Sequence, residues 1–226
     1  MNRFLKILSL VTALLVCASL FVGCRNEKDI SEKLELIFEA CDKAISDESG
    51  EILIYRNVLV QTDIKDLLAG ITEETYVQFR NNTGDPDFNL TRNTVRSDSD
   101  EAVEYEFAKE GEVMIELVNG SGDYATEAPD IFEEFKLTFT ADDVDTIEVT
   151  VREKGFKEYL FYMKQSYADS FDSEADGLKK DCVSVTYCYY VDNYKNLSNI
   201  LREYIYTATY EGESQKLVEF IDAKID

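Results

Sequence analysis

The chain of 226 residues has no histidine, no tryptophan, only two prolines, and half as many bases as acids. Each shortage excludes something. Without histidine there is no Ser-His or Cys-His pair to activate a nucleophile, and the commonest zinc and haem ligand is missing. With 23 Lys and Arg against 46 Asp and Glu, the net charge is −23. Nucleic-acid binding, which needs a basic surface to displace counterions from phosphate, is excluded on that balance. Lack of tryptophan removes the platforms on which sugars commonly stack. With only Pro86 and Pro129 to interrupt them, strands can run long without losing ladder hydrogen bonds. No GxSxG, GxGxxG or GxxxxGK(S/T) segment occurs, so no nucleophile elbow, dinucleotide turn or phosphate loop is signalled. A pair of carboxylates suited to glycoside hydrolysis can always be picked from 46 acids and carries no information. The chain reads as a non-enzymatic protein without a cofactor or metal.

What is present begins at the N-terminus. Met1 to Lys6 carries Arg3 and Lys6 and no acid, and Ile7 to Val22 is almost wholly apolar. Gly23-Cys24 follows, and then the polar run Arg25-Asn26-Glu27-Lys28-Asp29. This is the three-part pattern of a secretory signal peptide. The apolar run falls short of the roughly 20 residues that a membrane-spanning helix needs, which weighs against a retained anchor.

The segment Leu20-Phe21-Val22-Gly23-Cys24 resembles the lipobox of bacterial lipoproteins. It matches at Gly23 and Cys24 and departs at Phe21, where the family usually has Leu. The resemblance implies acylation of the Cys24 thiol and cleavage before it, so that acyl chains hold the protein at a membrane on the extracytoplasmic side. Two or three chains anchor stably, whereas one binds only marginally. Loss of Arg3 and Lys6 takes the net charge from −23 to −25. A domain this acidic is repelled by anionic headgroups and stands off the membrane. The division expected is a signal peptide at 1–23, a lipidated tether at 24–29 and a single domain at 30–226.

Three cysteines remain beyond the lipobox. Cys182 and Cys188 lie six residues apart in one expected strand, about 20 Å at ~3.3 Å per residue, too far to bridge. Cys41 pairing with either of them, or three buried thiols, are both open readings.

The first helix is legible in Ile30, Leu34, Ile37, Phe38, Cys41 and Ile45, which share one face at helical spacing. Ile52 to Val60 is an apolar, β-branched strand, Asp63 to Ala69 a short helix stopped by Gly70, and Tyr76 to Phe79 a weaker strand. Residues 81–101 are polar and read as a long loop or disordered excursion. Alternation of apolar and polar residues then predicts antiparallel strands around 103–108, 113–117, 135–140, 147–152 and 183–191. Phe156, Tyr159, Leu160, Met163 and Tyr167 are helically spaced and predict a helix near 157–168. Ile200 to Tyr210 is a strand, and 215–225 fits either element. Across 183–191 the alternation predicts one face of Val183, Val185, Tyr187, Tyr189 and Val191. Asp85-Pro86-Asp87-Phe88-Asn89 starts like a calcium loop but lacks the Gly and Glu that an EF-hand needs at its sixth and twelfth positions. Asp142, Asp143 and Asp145 read as a polar connection between strands.

The strands are rich in aromatics, with 14 Tyr and 13 Phe in the chain. An amphipathic helix (Asp29 to Ile45), a run of antiparallel strands, a late helix, and the segment Tyr190-Val191-Asp192-Asn193-Tyr194-Lys195-Asn196-Leu197 between two strands follow one another. In that order the chain resembles the lipoprotein-carrier half-barrel lipoproteins of bacteria. The resemblance implies an α+β fold in which a curved antiparallel sheet wraps the N-terminal helix and one or two short helices. It also implies an apolar ligand held on the sheet. The aromatics expected to meet that ligand are Tyr187, Tyr189, Phe135 and Phe139. The expected function is a membrane-anchored extracytoplasmic lipoprotein binding an apolar ligand or a partner protein. One alternative is a structural or interaction lipoprotein with a filled core. The other is a carboxylate-dependent hydrolase, which would need two carboxylates facing one cleft.

Cys24→Ser is expected to abolish both lipid attachment and cleavage after Gly23. Metabolic labelling with a fatty-acid analogue measures this, and undiminished label in the mutant would rule out Cys24 as the acylation point.

Overall fold

The computed structural model describes residues 28–64, 67–152 and 155–226. The expected signal peptide at 1–23, the expected acylation point Cys24 and the expected tether as far as residue 27 lie outside the described residues. Helix α1 covers 28–45. Six strands follow: β1 (Gly50–Val60), β2 (Ile71–Arg80), β3 (Asp87–Arg96), β4 (Val103–Glu110), β5 (Val113–Val118) and β6 (Ser121–Tyr124). After an irregular crossing segment come β7 (Val144–Val151), β8 (Lys157–Met163) and α2 (Gln165–Ala168). The chain ends with β9 (Ser173–Ala175), β10 (Leu178–Val191), β11 (Leu197–Tyr210) and β12 (Glu213–Ile225).

All neighbouring strands are antiparallel, in the order β6-β5-β4-β3-β2-β1-β12-β11-β10-β8-β7, with β9 paired to β10. The sheet is thus two meanders joined where the first strand meets the last, from Ile52 opposite Ile225 to Val60 opposite Leu217. Turn chemistry supports the hairpins. Asn119-Gly120 and Glu211-Gly212 both take the left-handed backbone that two-residue hairpin turns require. The fold is the α+β half-barrel: an open, curved sheet with a helix on its concave side.

Helix α1 fills that side. Ile30, Leu34, Ile37, Ala40, Cys41 and Ala44 are buried against the inward side chains of the sheet. Each fully buried Leu or Ile contributes roughly 1.5–3 kcal/mol. The C-terminal end of the helix is tied to two strand turns. Asn82 Nδ2 donates to the Ile45 carbonyl at 2.7 Å, and Lys43 Nζ and Lys195 Nζ bond across to Asn196 and Glu39. Phe38, expected on the apolar face, is 59 % exposed, because it lies just beyond the stripe that touches the sheet.

Residues 125–143 carry the chain from the β6 edge to the β7 edge across the concave face. This strap places Ile131, Phe135 and Phe139 in the core, with Phe132 edge-on to Phe79 of β2 at 5.1 Å. The expected strand at 135–140 is therefore absent. Its alternation reflects side chains dipping into a core from an unpaired segment.

Other expectations are corrected in the same way. The polar stretch 81–101 contains β3, whose inward residues change from Phe88 and Leu90 to Arg92, Thr94 and Arg96. Apolar alternation fades there because the inward positions are charged. The expected helix at 157–168 is β8 followed by the single turn of α2. Tyr159, Phe161 and Met163 are buried at period two, while apolar Leu160 on the opposite face mimics helical spacing. Asp63 to Ala69 makes no helix among its described residues; an Ile64–Leu68 bridge closes a turn instead. Val183 leaves the apolar face of β10 because a bulge between Cys182 and Ser184 turns it outward, 49 % exposed. The segment 215–225 is strand.

Leu34→Asp places an unpaired carboxylate in the middle of the helix–sheet contact. It is expected to cost at least about 3 kcal/mol. Thermal unfolding measures it, and a midpoint within a degree or two of wild type would mean that α1 is not part of the core.

Candidate functional site

Antiparallel register arranges the inward side chains in rows across the concave face. At the end nearest the β2–β3 turn the rows are apolar, such as Ile225, Ile52, Val77, Leu90 and Phe107. Two rows further the face becomes ionic: Ile221, Arg56, Glu73 and Thr94 stand side by side. Beyond it, at the opposite end, lies a second apolar cluster of Val58, Leu68, Leu178, Ala208 and Leu217. The concave face is thus apolar, charged and apolar again along the strands.

The four aromatics singled out from sequence are all in the first apolar zone. Phe135, Tyr187 and Tyr189 are essentially solvent-free, and Phe139 nearly so. Phe139 stacks on Tyr187 with ring centroids 4.6 Å apart, and Phe161 meets both Phe139 and Tyr189. The Tyr187 hydroxyl shares hydrogen bonds with those of Tyr167, at 2.9 Å, and Tyr204, at 3.3 Å. Burial pushes the Tyr187 hydroxyl up to about 12, so it stays a neutral donor at physiological pH. Phe135 lies in the same core under the strap. These side chains are packed by protein on every side that the contacts describe. Phe171 extends the cluster outward, touching Tyr167 and Tyr204 at 5.3 and 5.2 Å.

The ionic band is built from paired groups. Arg56 Nε donates to Glu219 at 2.6 Å, and Arg92 Nε donates to Thr75 at 3.1 Å with Glu73 3.7 Å away. Arg202 is buried on β11, reaches the strap through Glu134 at 2.6 Å, and sits 5.5 Å over the Tyr187 ring. Its Nε is a buried donor with no acceptor. The strap is thereby fastened to the sheet by two charge-assisted hydrogen bonds from Arg202, one to the Glu134 carboxylate and one to the Glu134 carbonyl.

Past the band, the concave face opens into a cavity of about 210 Å³. Its floor is Val58, Ile71, Leu217 and Tyr206; its lid is Leu67, Leu68 and Ala69; Phe171 closes one side. Gly70 N holds that lid down, donating to Ser97 Oγ at 2.7 Å and Asp63 Oδ1 at 3.2 Å. Arg56, Arg96, Lys180, Glu219 and Ser173 bring charge and polarity among these apolar side chains. Arg96 is held by both oxygens of Asp98, at 2.9 and 2.8 Å. Lys180 has no ion pair among the described residues.

A larger depression of about 650 Å³ lies on the opposite, convex face. Its wall residues Gln78, Asn89, Ala108 and Ile115 occupy one register row, alternating with the inward Phe79, Phe88 and Phe107. Its charges already satisfy one another: Arg80 pairs with Glu110 at 3.0 Å, and Asp87 accepts from Gly111 N and Asn81, both at 2.7 Å. What the recess holds and this trough does not is a cation, Lys180, with no ion pair among the described residues.

Among the described residues no group of three metal-ligating side chains converges, and no helix is long and apolar enough to cross a membrane. Asp143 instead caps the turn before β7, accepting from Thr140 N and Oγ1 at 2.8 Å. Cys41, Cys182 and Cys188 are free and buried. Desolvation raises Cys41 and Cys188 to about 12 and Cys182 to about 11, so none is a nucleophilic thiolate at neutral pH.

No protein-family model and no curated protein matches the chain. Among solved structures, it is similar to LprF from Mycobacterium bovis, at 10 % identity and a TM-score of 0.48 over 86 % of this chain and 91 % of that one. A DUF1329 family protein from Desulfovibrio piger aligns over 85 % of this chain and 91 % of its own, at 10 % identity and a TM-score of 0.22. At these values neither likeness bears on ligand or role.

Sequence reasoning missed the cavity residues Arg56, Arg96, Lys180 and Tyr206. A signal existed: Arg56 interrupts the apolar run Ile52 to Val60 on the parity of the buried Ile52 and Val58. A charge on the inward parity of a strand points to an ionic contact or ligand inside the sheet.

Removing the carboxylate that faces Arg202 leaves a buried guanidinium without its counter-charge. Glu134→Ala is expected to cost about 3 kcal/mol, read as a lower urea midpoint at unchanged slope. A loss under about 0.5 kcal/mol would show that the strap is held by its aromatics alone.

Proposed function

We propose that this is a lipid-anchored extracytoplasmic binding protein, without enzymatic activity, that takes up a small apolar or amphiphilic ligand at the end of its half-barrel. The observation that carries the reading is the recess of about 210 Å³ between Val58, Ile71, Leu217 and the 67–69 lid. It is the part of the concave face that helix and strap leave uncovered. Its lining sets apolar side chains beside several convergent charged and polar groups, and placed polar groups of that kind are what orient a small molecule in its site. Its size suits one short chain or the end of a longer one. The lipobox-like Leu20 to Cys24 supports the anchor and its compartment.

In this reading Tyr187, Tyr189, Phe135 and Phe139 form the packed wall behind the site. Phe171 is the link, because it borders the recess and rests on the aromatic cluster. A ligand that orders Phe171 therefore presses on Tyr167 and Tyr204, and through them on Tyr187. Contact with the other three aromatics would require the strap to lift.

The test is saturable binding of the neutral dye Nile red to the mature protein, displaced by 1-octanol. Ile71→Trp, which fills the recess from its floor, should abolish the dye signal while leaving the far-ultraviolet circular dichroism unchanged. If wild type shows no saturable binding, the protein is a structural or interaction lipoprotein with a filled core.

A further inference from the structure

The lining of the recess is unusual for this chain. Acids outnumber bases two to one overall, yet among the described residues three cations and one acid border this small space. Two of the cations are already engaged. Arg56 is bound to Glu219, and Arg96 is held by Asp98 through both oxygens. The third, Lys180, is half-buried on β10. It faces inward between the buried Leu178 and Cys182, opposite Ala208 of β11. Among the described residues its ammonium has neither an ion pair nor a hydrogen bond. Tyr206, two positions from Ala208 on the same inward parity, likewise makes no hydrogen bond through its hydroxyl among those residues. Burial raises the Tyr206 hydroxyl above its ordinary value, which keeps it protonated as a donor. Among the described residues the recess therefore holds two donors without acceptors, one of them charged, beside an apolar floor.

We infer that the recess selects a short single-chain amphiphile with a carboxylate head, the head meeting Lys180 and Tyr206 and the chain lying on Val58, Ile71 and Leu217. The inference rests on the binding role proposed above and names its ligand class. One free cation matches one negative charge. A doubly charged phosphate head would need a second, and Arg56 and Arg96 are already neutralised. The overall acidity of the protein does not forbid a carboxylate. Exposed charges farther than a Debye length, ~8 Å at physiological salt, are largely screened, whereas a contact inside the recess is screened much less.

The experiment compares octanoate with 1-octanol, equal in chain length and differing in head, as competitors for Nile red. At physiological ionic strength octanoate is expected to displace the dye at an about tenfold lower concentration, the ratio set by one charge-assisted contact. Lys180→Gln keeps a polar side chain of similar reach and removes the charge. It should erase that ratio while leaving 1-octanol unchanged. Tyr206→Phe should shrink the ratio without erasing it. If octanoate and 1-octanol compete equally in wild type, the carboxylate preference is wrong and the binding role stands. If the preference survives Lys180→Gln, the assigned head-group site is wrong. If neither compound competes and no dye binds, the binding role itself fails.

Discussion

Everything in this molecule depends on the pairing of β1 with β12. Each of the two meanders is a local structure, its paired strands joined by connections of 2 to 14 residues. What makes them one curved sheet is the ladder from Ile52–Ile225 to Val60–Leu217, closed at one end by reciprocal bonds between Glu51 and Asp226 at 2.9 and 3.0 Å. Only when that seam has formed do rows such as Ala223, Ile54, Thr75, Arg92 and Tyr105 run unbroken across the concave side. Helix α1 then has a continuous surface to cover, and the strap has two flanks to span. Contacts this far apart in sequence carry a large loop-closure cost, and the buried apolar face of α1 and the strap aromatics offset it.

The charged band is the second organising feature. Buried or half-buried ion pairs rarely add net stability over apolar residues of the same shape, and their value is more often in specifying one arrangement. Here they separate two apolar zones that would otherwise merge into a single greasy surface. Arg202 and Glu134 fix where the strap crosses, and Arg56 with Glu219 marks where protein filling stops. The recess exists because the covering elements end at the band and the apolar lining resumes beyond it.

The sheet was legible in the sequence wherever inward positions were apolar. Tyr105 and Phe107, and Val185 to Val191, announce strands by inward alternation, and α1 by its stripe, while Val113, Ile115 and Leu117 alternate on the convex face. Legibility failed where the physics of burial was different. Strand β3 turns arginines inward and satisfies them with Glu73, Thr75 and Asp98, so it reads as a polar loop. Strand β8 has apolar residues on both faces, with Leu160 against the buried Cys188 row of β10, so period two is lost. The strap alternates without pairing. The aromatic cluster was foreseen, but its being packed against the strap was not, since the strap's path follows from which edges β6 and β7 occupy. The recess was invisible because its charged members belong to four different strands, and no spacing along the chain brings them together.

Synthesis of the chain runs in one direction, and the central strand β1 emerges long before its partner β12, with ten strands made between them. For nearly the whole time of emergence, β1 presents an open hydrogen-bonding edge and an inward face lacking half its neighbours. Such an edge is a template for unwanted pairing. The half-barrel is therefore a fold that completes all at once, after β12 is free to pair. A chain shortened by even one C-terminal strand would keep both meanders nearly whole and still lose the seam that joins them.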